Sequence, residues 1–309
     1  MISCAAATAA AQSVSRPAGD LAQRLAGMSA VTGLEQHLVD TLLSLVSGSR
    51  RDRAGNAVLT LGSGPSRRLA ACPLDEPGYI VGHVRDDGFL TLRRSPGSGS
   101  RARDAQLEGQ RVTIRAREGV VPGVVAVRSV HLTRGRDLTP SRFTVDSALV
   151  DVGAATEAEV TSLGIGPLAP VTLHKRPHRY GRDLLAGPMT GRRAACAALA
   201  VAAGRVTAKQ VTVSRRETIV IAFVVEQELS GRGIATIANA MGPFSETILV
   251  DDADAEAEAG TVAERWPGLG RVEARPLPVR YAGTPVETVS LSDVERLADE
   301  LAAWIEGPR

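Results

Sequence analysis

The chain has 309 residues, 44% of them hydrophobic, and a formal net charge of +2, which is too small to argue for nucleic acid as the partner. Basic charge is almost all arginine, since Lys175 and Lys209 are the only lysines, and with so few aromatic residues the core falls to Val, Leu, Ile and Ala. No stretch approaches the roughly 18 uninterrupted apolar residues of a membrane-crossing helix, and the opening MISCAAATAAAQSVSRPAGD lacks the basic start and long apolar run of a signal peptide.

Residues 1–18 therefore read as a flexible extension. Helical periodicity runs from Asp20 to Val46, with Leu21, Leu25, Leu34, Leu38, Leu42 and Leu45 in phase and a break at Ser29–Gly33. Ala57–Leu61 reads as a strand leaving the Gly55-Asn56 turn. From Gly78 the character changes to short apolar runs separated by Gly, Pro and Asp: Tyr79–Val84, Phe89–Leu92, Val112–Ile114, Val120–Val127 and Ala148–Val152. Closely spaced short strands with turn signals predict a small β-barrel or sandwich. Ser95–Asp104 reads as a Gly/Ser/Arg loop.

After Gly187 the pattern returns to α/β. An Ala-rich helix is expected over about 192–203, and the wholly apolar strand Thr218–Val225 belongs inside a sheet covered on both faces. A helix at about Gly233–Met241 and a strand at Ile248–Val250 follow, then the acidic stretch DDADAEAEAG, read as a solvated loop or helix start. PVRYAGTPVETVSLSDVERLADEL, from Pro278, reads as strand, turn and amphipathic helix with Leu291, Val294, Leu297 and Leu301 on one face.

The chemistry-bearing residues are sparse. Cys4, Cys72 and Cys196 are an odd number at no metal-like spacing, so a reduced cytoplasmic protein is expected, with Cys72 a buried inert thiol or, alternatively, a zinc ligand. His174 and His178 have the i, i+4 spacing of a helical metal pair, but Pro177 between them favours exposed loop histidines.

The order of segments from about Leu21 to Trp304 resembles the glutamyl, or tetrahedral, aminopeptidase family of dinuclear metallopeptidases, sometimes labelled endoglucanase-like. MSAVTGLEQHL is similar to the family's Ser-Gly-x-Glu helix start, and RAGN to its Asp-x-x-Gly-Asn turn. LDEPGYIVGHVRDDGFLTLRR resembles its strand into an inserted barrel, and ALVDVGAATEAEVTSLGI its segment on the way back. GPMTGRRAACAAL resembles its Asp-(Asp/Asn)-Arg helix, VVEQELSGRGI its Glu-Glu-x-Gly turn, and RYAGTPVE its Arg-Tyr-x-His turn. The fold implied is α/β, a zinc-peptidase-like α/β/α sandwich with an inserted small β-barrel domain. Residues 19–74 and 172–309 would form the peptidase-like part and 75–171 the barrel.

In the family two metal ions share a bridging Asp, and a Glu takes a proton from metal-bound water. Set against that pattern, the first His falls on Pro73, the bridging Asp on Thr190, the general-base Glu on Gln227 and the last His on Gly283. Asp75, Glu228 and Asp251 survive, as does Arg192. The resemblance thus implies a degenerate member with no metal site and no cofactor, because one carboxylate cannot hold zinc and a neutral amide is no general base. Carboxylates crowded without a cation repel each other, so Arg192, Arg232 or Arg280 is expected to fill the place of the metals. An external cation or an opened, solvated cleft is the alternative.

The function implied is a catalytically inactive aminopeptidase-like protein that binds a peptide or a peptide-modifying partner enzyme, as in the modification of ribosomally made peptides. The alternatives are a repurposed metal-free enzyme using Asp75, Glu228 and Cys72, and an active metallo-aminopeptidase with substituted ligands. Cys72, Asp75, Arg192, Gln227, Glu228, Asp251, Arg280 and Tyr281 are the candidate peptide-binding residues. The resemblance also implies a homo-oligomer or hetero-oligomer, with neither nucleic acid nor membrane as partner, and the stretch between Asp251 and Arg280 looks shortened.

Overall fold

The computed structural model describes residues 16–97, 104–127, 143–208, 217–229, 231–252 and 255–307. Most of the expected N-terminal extension, the middle of the Ser95–Asp104 loop, Cys4 and Lys209 lie outside the described residues. Helices α1 (Pro17–Ala26) and α2 (Gln36–Leu45) precede strands β1 (Arg50–Arg51), β2 (Ala57–Gly62) and β3 (Ser66–Pro73). Next come β4 (Tyr79–Val84), β5 (Leu90–Arg94), β6 (Arg111–Ala116), β7 (Gly119–Val125) and β8 (Leu149–Asp151). The short helix α3 (Glu157–Ser162) leads to β9 (Pro170–Leu173), β10 (His178–Tyr180) and β11 (Leu184–Ala186). The last part holds α4 (Thr190–Ala208), β12 (Glu217–Val224), α5 (Arg232–Met241), β13 (Glu246–Asp251) and α6 (Ala255–Arg265). It closes with β14 (Arg271–Pro276), β15 (Thr288–Ser290) and α7 (Leu291–Glu306).

One sheet runs in the order β1-β2-β12-β3-β13-β14. Its β12, β3, β13 and β14 are parallel, while β2 runs antiparallel to β12. The central strands are apolar on both faces because helices cover both. Ile219, Ile221 and Phe223 face a core shared with α1, α2, α4 and α7, whereas Val220, Ala222 and Val224 face Ile234 and Ile237 of α5. α4 is buried nearly all round. Its alanines, the best helix formers, keep it thin enough for α1 and α7 to pack against it. α7 is capped by Ser290, whose Oγ accepts from Asp293 N at 3.3 Å.

Strands β4-β5-β8-β7-β6-β9 close into a barrel around Val81, Leu90, Leu92, Val112, Ile114, Val150 and Val171, and closure removes exposed sheet edges. The fold is therefore the α/β/α sandwich with an inserted barrel that the resemblance implied. Three readings need correction. PVRY is not a strand: Arg280 makes an isolated bridge to Thr288, and the strand, β15, follows the turn. His178 lies exposed on β10 rather than in a loop. Cys72 and Cys196 are not reduced thiols but form a disulfide linking β3 to α4. The stretch between Asp251 and Arg280 holds α6 and β14.

Candidate functional site

The ends of β3, β12 and β13 meet the start of α4, and this is where the resemblance placed the ancestral metals. Asp75 follows β3 and is fully buried. Its carboxylate accepts from Thr32 Oγ1 at 3.0 Å and from the backbone N–H groups of Gln227 and Glu228 at 3.0 and 2.9 Å. The segment at Thr32–Glu35 and the turn at Glu226–Gly233 are thereby tied to the same carboxylate. Glu35 Oε1 strengthens the tie by accepting from Glu226 N at 3.1 Å, and burial pushes the Glu35 carboxyl above its ordinary range. Asn56 holds the turn from the other side, donating to Gly233 O and accepting from Val225 N. Gly233 is required there, because a Cβ would come within 2.3 Å of Val225 O.

Arg192, in the first turn of α4, threads through the middle of the cluster. Nε contacts Asp251 Oδ1 at 3.1 Å and Nη2 contacts Asp251 Oδ2 at 3.0 Å. Nη1 donates to Asp75 O at 2.8 Å and to Glu228 Oε1 at 3.0 Å. A planar fork of donors suits this arrangement of acceptors as an ammonium would not. Burial pushes the Asp251 carboxyl up to about 7; Arg192 opposes the shift and Glu258 on α6 reinforces it. The guanidinium is held well above its ordinary range by Asp251, Glu258, Glu228 and Asp75, although burial pulls the other way. Of the three arginines expected to reach inward, Arg192 alone does so. Arg232 pairs with Glu226 at 2.6 Å, and Arg280 and Tyr281 are exposed.

Thr190 Oγ1 donates to Gly187 O at 2.8 Å, a local bond within the turn before α4. Gln227 Oε1 is buried with no hydrogen-bond partner. Pro73 is buried at the strand end, and Gly283 carries a φ of 72° with open space where a side chain would stand. Cys72 is fully buried in its disulfide and offers no thiol to a ligand or a metal. The cysteine argument for a reducing compartment falls away with it.

A second set of charges lies one layer deeper, and the sequence reading passed over it. Glu76 is buried and paired with both Lys175 and Arg193. Lys175 Nζ also donates to Pro188 O at 3.1 Å, Arg193 Nη1 donates to Leu74 O at 2.5 Å, and Glu76 Oε1 accepts from Ala30 N at 2.9 Å. These bonds join β3, α4 and the segment after β9. Despite burial, the two cations hold Glu76 below its ordinary range, while burial lowers Lys175. Glu287 is also buried, accepting from Gly191 N at 3.1 Å and Gly283 N at 3.0 Å. Burial, with help from Asp252, pushes Glu287 up to about 7 against those two backbone bonds. One signal for this set was present: Lys175 is one of two lysines in an Arg-rich chain.

The donors present do not fit a pair of metal ions. Asp75 already accepts from one O–H and two N–H donors, Asp251 faces a guanidinium, and the side chains of Pro73 and Gly283 supply no ligand. Among the described residues no group of three or more His, Cys, Asp or Glu side chains is gathered as a metal would need.

The fold is that of aminopeptidases built as a sandwich with an inserted barrel. The chain belongs to the M42 glutamyl aminopeptidase family, whose model matches residues 55–272. It is similar to FrvX of Escherichia coli (strain K12), whose name calls it an aminopeptidase, with 28% identity over 82% of this chain and 67% of that protein. Lysyl aminopeptidase of Pyrococcus furiosus is 27% identical over 50% of this chain and 44% of its own length. Among solved structures, the Pyrococcus horikoshii TET1 peptidase, described as assembling into a tetrahedron or a large octahedral shell, superposes with a TM-score of 0.79 at 19% identity. That superposition covers 93% of this chain and 99% of the other. An aminopeptidase from the archaeon Desulfurococcus kamchatkensis gives 0.75 at 20% identity, over 94% and 95% of the two chains. At these identities the structures speak for the fold.

Proposed function

We propose that this chain is a non-catalytic member of its family that binds a peptide, or docks to an enzyme that modifies one, in the cleft where its relatives do chemistry. The observation that carries the reading is Arg192, whose guanidinium stands among Asp75, Glu228 and Asp251. It neutralises charges that would otherwise repel, and Gln227, where the family's general base would stand, is a neutral amide that cannot take a proton from water. The names of the relatives supply the peptide as ligand class. Gln227 Oε1, buried without a partner, offers an acceptor to a donor on the ligand. In this reading residues 19–74 and 172–309 hold the peptide and 75–171 wall the cleft. The setting is a pathway that modifies ribosomally made peptides, and the protein works as an oligomer.

The test is to incubate the full chain with peptide mixtures, with and without added zinc or cobalt, and to follow amino-acid release and peptide binding in parallel. Binding without release under every condition is expected. Metal-dependent release of N-terminal residues would overturn the proposal.

A further inference from the structure

Next to Glu287, whose carboxylate accepts from Gly191 N just before Arg192, lies a small pocket of about 50 Å³, room for the tip of an apolar side chain. Pro77, Tyr79, Leu107, Leu173 and Met189 make it largely apolar. Gly283 also lines it, and a Cβ built there meets nothing within 4 Å, so the turn without a His leaves room instead of a ligand. Gln106 Nε2 donates to Gly283 O at 3.0 Å and ties the barrel to this turn across the pocket. Thr172 lines the pocket too, and its Oγ1 is buried with no hydrogen-bond partner. A buried hydroxyl left unpaired is costly, and a polar atom of a bound ligand would relieve it.

The pocket shares Leu173 and Pro188 with an open groove of about 360 Å³. The ionisable lining of that groove is Arg111, His174, Arg176 and His178, with no carboxylate among the lining residues. Arg111 and Arg176 make no ion pair with a described carboxylate, unlike Arg192, Arg193, Arg205 and Arg232. Their backbones are fixed: His174 N donates to Arg111 O at 2.9 Å, extending the β6–β9 ladder, and Arg176 N donates to His174 O at 3.1 Å. His174 is itself oriented, with Nδ1 3.2 Å from Thr113 Oγ1. The pocket has no cation to spare, since Lys175 is committed to Glu76 and Pro188 O. An anionic group on a ligand seated in the pocket therefore finds its partner in the groove, where a guanidinium donates two parallel hydrogen bonds to a carboxylate.

We infer that the pocket takes an apolar side chain of a peptide while Arg111 and Arg176 in the adjoining groove hold a carboxylate of the same peptide, either its C-terminus or an acidic side chain. This deepens the peptide-binding reading and rests on it.

Four N-acetylated probes titrated into the full chain by calorimetry test it: Leu-Gly-Gly as free acid, Leu-Gly-Gly amide, Leu-Gly-Asp amide and Gly-Gly-Gly as free acid. One of the two Leu probes that carry a carboxylate is expected to bind about tenfold tighter than Leu-Gly-Gly amide, as a charge-assisted hydrogen bond implies. The winner tells C-terminus from side chain. Arg111→Gln together with Arg176→Gln should abolish that gain and leave the amide unchanged, and Gly-Gly-Gly should lose affinity. Equal binding of the three Leu probes would overturn the carboxylate assignment and leave peptide binding standing. No binding of any probe would overturn both.

Discussion

Arg192 is the single residue on which the cluster depends. Arg192→Met would leave Asp251 buried without its cation and Glu228 without its partner. Removing one side of a buried pair costs about 3–5 kcal/mol, so urea unfolding should show a loss of that order, and a loss below about 1 kcal/mol would contradict the role given to it. Arg192→Lys should recover only part of the loss, because an ammonium cannot match the fork of contacts. Glu287 makes a prediction about pH. Its folded pKa is raised to about 7 from an ordinary 4.5, so the folded state binds the proton more tightly than the unfolded chain. The stability it contributes is full below the ordinary value and is lost as pH rises through about 7. Glu287→Gln has no proton to lose. The thermal midpoint of the variant should therefore gain on the parent between about pH 5 and about pH 8, and a difference independent of pH would count against the burial argument.

At the scale of elements, the disulfide joins the central strand β3 to α4, the helix that carries Arg192. It closes a sequence separation of 124 residues, and losing such a bridge typically costs about 2–5 kcal/mol. Thiol titration in denaturant without reductant should find Cys4 alone reactive among the three cysteines; three reactive thiols would show that the bridge is absent. Cys196→Ala should lower the unfolding midpoint, and a variant unfolding with the parent would say that the bridge does not stabilise α4. Local pattern made most elements legible: the apolar run of β12, the leucine phase of α2 and α7, the alternating barrel strands. Asp75, Glu228, Asp251 and Arg192 were legible too, because motif fragments flank them. The bridge was not, since nothing local in ACP or AAC distinguishes a paired cysteine from a buried thiol. The same holds for Glu76 and Lys175, which sit 99 residues apart and meet only when the barrel returns to the sandwich. PVRY misled because its apolar alternation suits a strand, whereas pairing there is limited to the Arg280–Thr288 bridge.

At the scale of the molecule, Glu76, Glu228 and Asp251 are each paired with a cation of the chain itself, Lys175 and Arg193 for the first and Arg192 for the other two. The TET1 peptidase of similar fold builds shells, and an oligomer is expected for this chain. Light scattering at micromolar protein checks it, and a monomer there would contradict the expectation. The proposal that a guanidinium has taken the place of a dinuclear metal centre reaches furthest, and elemental analysis addresses it most directly. Protein purified without chelator, then equilibrated with zinc or cobalt and passed through a desalting column, should retain well below about one ion per chain, since no converging ligand set is gathered among the described residues. Retention of about two ions per chain, the stoichiometry of a working two-metal peptidase, would contradict it.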